Sequence, residues 1–283
     1  VHEAYGGPDA LARFVDAAHN AGIGVCLDVV YNHLGPSGNY LSDFGPYFTP
    51  AHHTPWGEAV NYDHDGSQQV RAFVIDSALR WMRDFHIDAL RLDAIHEIKD
   101  DAAAAATPQR HVLAELSDAV AALSIELGRP LSLVAEADLN DVGVITPTSE
   151  EPPAKVPSLG MTAQWADDVH HALHVRLTGE DQGYYGDFAE VGAWAKAYGR
   201  AFLHNGTWST FRERNWGAPV PEDTDPRRFV VFGSDHDQVG NRAVGDRPSV
   251  ILDDAALAAT AALVLLSPYT PMLFMGEEWG TRT

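Results

Sequence analysis

Apolar residues along the chain fall into two alternating patterns. Residues 8–20 place Leu11, Phe14, Val15 and Ala18 at helical spacing and end at Ala21-Gly22, where glycine suits a helix C-terminus. Residues 23–31 follow as a short apolar run with β-branched side chains and no polar alternation, which predicts a strand buried on both faces. The phrase then repeats. Helix-like residues 68–85 lead to a strand at 87–93, and helix-like residues 109–127 lead through Gly128-Arg129-Pro130 to a strand at 131–136. Further apolar runs at 161–165, 228–232 and 271–276 bring the total to about six units, each run giving way to polar or charged residues.

Apolar strands alternating with helices predict an α/β protein with a parallel sheet covered by helices. An open doubly wound sheet and a (β/α)8 TIM barrel both satisfy that pattern. Acidic and histidine residues closing the strands favour the barrel, whose active site gathers at the C-terminal rim of its strands. A doubly wound nucleotide fold needs a glycine-rich phosphate loop after a strand, and the sequence has none. The opening Val1-His2-Glu3-Ala4-Tyr5-Gly6-Gly7 reads as a loop inside a domain. Residues 1–283 are therefore expected to form a partial catalytic barrel holding about six of the eight βα units, with the first strands and any flanking β domains outside the chain. Long irregular stretches at 36–65 and 180–226, the second with some helix near 189–202, are expected to be functional loops.

Charge narrows the ligand. The chain's 283 residues include 19 Lys+Arg and 40 Asp+Glu, so the formal net charge is 19 − 40 = −21. Such a surface repels phosphate backbones and anionic lipid, which argues against nucleic acid and membrane partners and for a neutral or cationic ligand such as a sugar. The one cysteine, Cys26, excludes an intramolecular disulfide and permits a reducing, cytoplasmic location. The most apolar stretch, residues 255–275, is interrupted by Thr260, Ser267, Pro268, Thr270 and Pro271, too often for a membrane span.

Asp93 and Glu136 end consecutive strand units and Asp237 follows another, so the three are candidates for one rim. Glycoside hydrolysis needs such a set: one carboxylate to attack or stabilise the oxocarbenium-like centre and one carboxylic acid to protonate the leaving oxygen. Each acid taken singly also reads as a solvated loop residue in so acidic a chain. Arg91 lies two residues before Asp93 and shares its side of the strand, placed to keep the carboxylate ionised and oriented, or equally to form a structural ion pair. His33 and His236 lie just beyond strands and are candidate donors to sugar hydroxyls. His170 and His174 have the spacing of a metal pair on a helix, but no glutamate follows His170 as the zinc-protease pattern requires. Trp56, Trp165 and Trp279 are candidates both for stacking on pyranose rings and for core packing.

Four short segments carry a family resemblance: Asp28-Val29-Val30-Tyr31-Asn32-His33, Leu90-Arg91-Leu92-Asp93-Ala94-Ile95-His96, Ala135-Glu136 and His236-Asp237. In order and content they resemble the four conserved regions of the α-amylase superfamily. The segments His53-Thr54-Pro55-Trp56-Gly57-Glu58-Ala59-Val60-Asn61-Tyr62, Gln164-Trp165-Ala166-Asp167-Asp168-Val169-His170-His171 and Met275-Gly276-Glu277-Glu278-Trp279-Gly280 are similar to the maltooligosyltrehalose trehalohydrolases of that superfamily. The resemblance implies a catalytic (β/α)8 barrel and a retaining mechanism with Asp93 as nucleophile, Glu136 as acid/base and Asp237 as transition-state stabiliser. It implies substrate contacts at Asp28, His33, Arg91 and His236, to which His96, Trp165 and Asp168 are added as candidate contacts, and no cofactor; some amylase relatives hold structural calcium, but the sequence has no EF-hand-type oxygen-ligand loop and no metal site is expected. The implied substrate is maltooligosyltrehalose, cut at the α-1,4 bond next to its terminal trehalosyl unit, or a related α-glucan. A branching enzyme, an α-amylase and a non-catalytic glucan-binding module are the alternatives. Three positions depart from the family pattern: Asp235 and Ala166 stand where asparagine is usual, and Ala89 where glycine is usual.

Overall fold

The computed structural model describes residues 1–101, 110–152 and 155–282, which fall into two compact units. The first comprises Val1–Ala137, Gly143–Pro152 and Val156–Thr162. Its elements are α1 (Gly7–Asn20), β1 (Cys26–Val29), β2 (Phe48–Thr54), β3 (Gly57–Val60), α2 (Ser67–Asp84), β4 (Ala89–Leu92), α3 (Val112–Leu127) and β5 (Ser132–Ala135). Pro8 sits in the first turn of α1, and the chain leaves it at Gly22, whose φ of 76° is open to glycine at no steric cost. Gly128 closes α3 in the same way. Gln109, where the expected third helix begins, lies outside the described residues.

The three strands β1, β4 and β5 run parallel, in register Val29↔Leu92 and Leu92↔Ala135. The ladder extends one residue further, Asp93 N–H donating to Val29 O and Glu136 N–H to Leu92 O, both at 3.0 Å. Asp93 and Glu136 therefore leave neighbouring strands at the same edge. Leu90, Leu92, Leu133 and Ala135 are buried, as are Val70, Val74, Ala78 and Met82 at one face of α2 and Leu113, Leu116, Val120 and Leu123 of α3. Those i, i+4 and i+3 spacings are the apolar stripes that drive α2 and α3 together, each large aliphatic side chain contributing about 1.5–3 kcal/mol on burial. The expectation of a first strand buried on both faces needs correction: Cys26 and Asp28 of β1 are exposed. β1 is the end strand of its sheet and has β4 alone beside it among the described residues.

The 36–65 stretch contains an antiparallel hairpin, β2 with β3, where sequence reading expected only a loop. Pro50 and the paired histidines hide it, because β2 lacks apolar alternation and its register shifts between Thr49 and His53. Arg71 of α2 ties this region to the helices. Its Nη1 donates to Asp100 Oδ2 at 2.7 Å and to Tyr62 O at 2.9 Å, its Nε to Glu115 Oε2 at 3.1 Å, and its Nη2 to Arg110 O. The Asp100 side chain is fully buried, so removing the guanidinium leaves an uncompensated charge inside. Arg71→Met is expected to lower stability by about 3 kcal/mol in denaturant unfolding. A midpoint within error of the wild type would mean that the pair contributes nothing net.

The second unit comprises Asp138–Val142, Pro153–Lys155 and Ala163–Thr283. It contains β6 (Ala163–Trp165), α4 (Asp167–Thr178), α5 (Ala193–Arg200), β7 (Thr207–Ser209), β8 (Arg214–Trp216), β9 (Phe229–Phe232), α6 (His236–Gly240), α7 (Pro248–Ile251), α8 (Asp254–Leu265) and β10 (Thr270–Met272). β9 pairs in parallel with β6 and with β10, and all four of its residues are buried, the two-sided burial expected of its unbroken apolar run. Ala172, Val175, Phe188 and Ala197 form a core cluster, with Tyr185, Trp194 and Leu203 packed on it. The 180–226 stretch holds α5, near the helix expected there, and a second hairpin, β7 with β8, that three-residue strands conceal. No helix among the described residues is long and apolar enough to cross a membrane.

Candidate active site

In the first unit Arg91 organises three carboxylates. It leaves β4 one residue before the strand ends and is itself buried, its side chain 7% exposed. Nη1 donates to Asp28 Oδ1 at 2.8 Å and to Asp93 Oδ1 at 2.9 Å, and Nη2 lies 3.6 Å from Glu136 Oε2. The expected pairing of Arg91 with Asp93 is present, and the guanidinium serves Asp28 and Glu136 as well. A fixed fork of donors aims two oxygens of different residues toward one place, which a flexible ammonium would not do. Burial disfavours the charged form of Arg91, but the hydrogen bond and charge of Asp28, with the charges of Glu136 and Asp93, overcome this and raise its pKa.

Glu136 is held differently. Ala94 adopts the left-handed conformation, φ 39°, strained for a residue with a Cβ, and this turn directs its N–H to Glu136 Oε2 at 2.5 Å. Burial is the largest influence on the carboxyl and pushes its pKa above the usual glutamate value, with the nearby Asp93 charge adding to the rise. The Ala94 N–H, Arg91 and His96 oppose this without cancelling it. A carboxylic acid that keeps its proton beside a second carboxylate is the pairing that acid-assisted displacement requires.

Sequence reading gave Asn32 no role of its own, and the structure gives it one. It is fully buried; its Nδ2 donates to Asp93 O at 2.7 Å and to Asp93 Oδ2 at 3.1 Å, so Asp93 is gripped on one oxygen by Arg91 and on the other by Asn32. The available signal was its place at the polar end of the first apolar run, in the segment Asp28-Val29-Val30-Tyr31-Asn32-His33. Asn32 Oδ1 also meets His33 Nδ1, and the His33 ring stacks on Trp56 with centroids 4.6 Å apart. Trp56 is 46% exposed, leaving ring surface for a ligand. His96 lies in the short 3₁₀ turn Ile95–Glu97 that follows Ala94.

In the second unit Asp237 and His236 open α6 after β9 and are both exposed, 62% and 49% at the side chain, with His236 Nε2 3.7 Å from Asp237 Oδ1. Asp235 caps that helix: its Oδ1 accepts the Asp237 N–H at 2.7 Å while Gln238 Oε1 accepts the Asp235 N–H, a reciprocal capping box. Aspartate caps as well as asparagine does, which accounts for the departure at 235. Ala166 at the N-cap of α4 offers no such bond. Asp168 is buried, and its Oδ2 accepts from Leu203 N–H at 2.7 Å, His204 N–H at 3.0 Å and Asn140 Nδ2 at 2.9 Å. Burial outweighs these bonds and pushes its pKa up to about 6. Trp165 is 7% exposed and packs edge-on against Phe232.

His170 and His174 do share a face of α4, but three of their four ring nitrogens are engaged. His170 Nδ1 donates to Gly233 O at 2.7 Å, its Nε2 meets Tyr185 Oη at 3.1 Å, and His174 Nε2 pairs with Glu180 Oε2 at 2.9 Å. Burial, reinforced by His174, pushes the His170 pKa down to about 3, which fits a neutral ring in a packed aromatic cluster.

No family model matches the chain. Over 283 residues it is 54% identical to the malto-oligosyltrehalose trehalohydrolase of Arthrobacter ramosus, covering all of this chain and 47% of that protein. It is 52% identical to the enzyme of the same name from Mycobacterium tuberculosis, again covering 100% of this chain and 47% of the relative. The chain thus spans about half the length of the curated relatives it matches. Among solved structures, a candidate α-amylase from Salmonella typhimurium superimposes with a TM-score of 0.85 at 39% identity, covering 99% of this chain and 46% of that one. Sequence identity to proteins named malto-oligosyltrehalose trehalohydrolases is thus sustained along the whole of this chain, over about half of their length, and its fold resembles that of the α-amylase-like structure.

Proposed function

We propose that this chain carries the catalytic core of a retaining glycoside hydrolase that cuts the α-1,4 bond next to the terminal trehalosyl unit of maltooligosyltrehalose and releases trehalose. The observation that carries the reading is the pair Asp93 and Glu136, leaving adjacent parallel strands on either side of one buried guanidinium, with Glu136 raised in pKa. The Asp93 carboxylate attacks the anomeric carbon as Glu136 gives its proton to the departing glycosidic oxygen, so one C–O bond forms as the other breaks. Glu136, now ionised, takes a proton from water, which displaces Asp93 and restores both groups. Asp237 is assigned to the ring hydroxyls, gaining strength as charge develops on the sugar. Substrate contacts are assigned to Asp28, His33, Arg91, His96, Trp165, Asp168 and His236. The strands are assigned to about six of the eight units of a (β/α)8 barrel spanning residues 1–283. The substrate assignment rests on the identity to trehalohydrolases, and a cytoplasmic location on the one free thiol, Cys26.

Two displacements at one carbon leave its configuration unchanged. Proton NMR of the earliest product is therefore expected to show the α-anomer of any new reducing end. A first-formed β-anomer would make the mechanism inverting and remove the covalent role of Asp93.

A further inference from the structure

A second cluster of ionisable groups lies in the first unit and takes no part in the proposed chemistry. Asp63 follows β3, and its carboxylate is shielded from solvent completely, at 0% side-chain exposure. His52 Nε2, from β2, lies 2.7 Å from Asp63 Oδ2, and His64 Nδ1 lies 2.6 Å from Asp63 Oδ1. The Asp101 N–H donates to the same Oδ2 at 2.8 Å and fixes the carboxylate from behind. The two rings meet edge to face, 82° apart with centroids 5.3 Å from each other, so their N–H groups reach the carboxylate from different directions. One ligand atom from each of the three residues falls within a sphere of mutual distances no greater than 4.8 Å.

A buried carboxylate needs a counter-charge, and among the described residues the ion-pair partners of Asp63 are these two histidines, which supply charge only when protonated. We propose that His52, Asp63 and His64 form a zinc site that pins the β2–β3 hairpin to the segment leading into α2. Two imidazoles and one carboxylate are a zinc donor set, poor in the oxygen ligands that calcium and magnesium demand. Zinc–ligand bonds of about 2.0–2.2 Å separate tetrahedral ligands by roughly 3.3 Å, so the imidazoles swing outward from Asp63 and toward each other to admit the ion. The partly exposed His52 and His64 rings, 26% and 45% at the side chain, have the freedom to do this and leave a side open for water as fourth ligand. Each neutral ring moves its proton to its other nitrogen on binding, and an imidazolium releases one to solvent.

The test is zinc binding by the chelator-stripped protein, measured by equilibrium dialysis with ZnCl₂ and metal analysis. One zinc per chain is expected, unaffected by millimolar magnesium or calcium, with a rise in melting temperature. His52→Ala and His64→Ala are expected to bind at least tenfold more weakly. His53→Ala, the exposed neighbour on the opposite side of β2, is expected to bind as the wild type does. Should either variant fail to fold, Co²⁺ added to the wild type decides: intense visible bands of a tetrahedral site support the assignment, and the spectrum of aqueous Co²⁺ overturns it. Equal affinity in all three variants, or no zinc in the wild type, also overturns it.

Discussion

Asp93→Asn is expected to lower turnover of an α-glucan substrate by about 10⁴-fold or more while leaving the protein folded. The amide cannot form the glycosyl ester, and loss of a covalent nucleophile removes the reaction path rather than one contact along it. The fold tolerates the change because the surroundings of Asp93 hold either group. A carboxamide oxygen can face Arg91 Nη1, and Asn32 keeps its shorter bond to the Asp93 backbone carbonyl, 2.7 Å against 3.1 Å to the side chain. The melting curve should therefore shift by no more than a few degrees. The check is a pair of measurements on one preparation, initial rates and thermal unfolding. Near-wild-type rates in Asp93→Asn would remove Asp93 from the mechanism, whatever the melting curve shows.

Glu136→Gln should be nearly as damaging, by about 10²- to 10⁴-fold, but selectively. Its first duty is to protonate the leaving oxygen, so the loss should be large for an oligosaccharide and much smaller in the first step for a glucosyl fluoride, whose leaving group needs little acid assistance. The pH profile carries the same signature. The acid must hold its proton, and burial raises the Glu136 pKa, so activity should fall as pH rises through a value above the ordinary glutamate range. That alkaline limb should disappear in the glutamine variant. Equal losses on both substrates, with the limb retained, would assign the proton to another group.

β4 and β5 were legible because each is a short, largely apolar run closed by an acid, at Leu92-Asp93 and Ala135-Glu136. Those two acids could be placed on one edge from register logic alone, since parallel strands that end together present their next residues together. What the sequence could not show was how Arg91 divides itself among Asp28, Asp93 and Glu136, or that Ala94 takes a strained left-handed turn to point its N–H at Glu136. Both depend on distances between strands far apart in the chain. The two hairpins escaped for a different reason: Pro50 and His52-His53 break the alternation in β2, and β7 and β8 are three residues each, too short for a period to register. Helix α8 was hidden by uniformity, being rich in alanine and leucine on every side and so lacking an amphipathic stripe. Asp168 reads in the sequence as a substrate contact after a strand, and its burial among three donors from Asn140, Leu203 and His204 was not legible there. The His52–Asp63–His64 cluster was invisible because its members come from a hairpin the sequence concealed.

The most direct measurement is the identity of the first product. The protein is incubated with a maltooligosyltrehalose and, in parallel, with a plain maltooligosaccharide of equal length, and free trehalose and shortened glucans are separated by chromatography. Trehalose released from the first substrate, with the second cleaved at least tenfold more slowly, is the expected result. Efficient cleavage of the plain maltooligosaccharide with no preference for a trehalosyl end, or transfer of glucan chains into branches, would contradict the trehalose-releasing assignment while leaving Asp93, Glu136 and Asp237 as its candidate machinery.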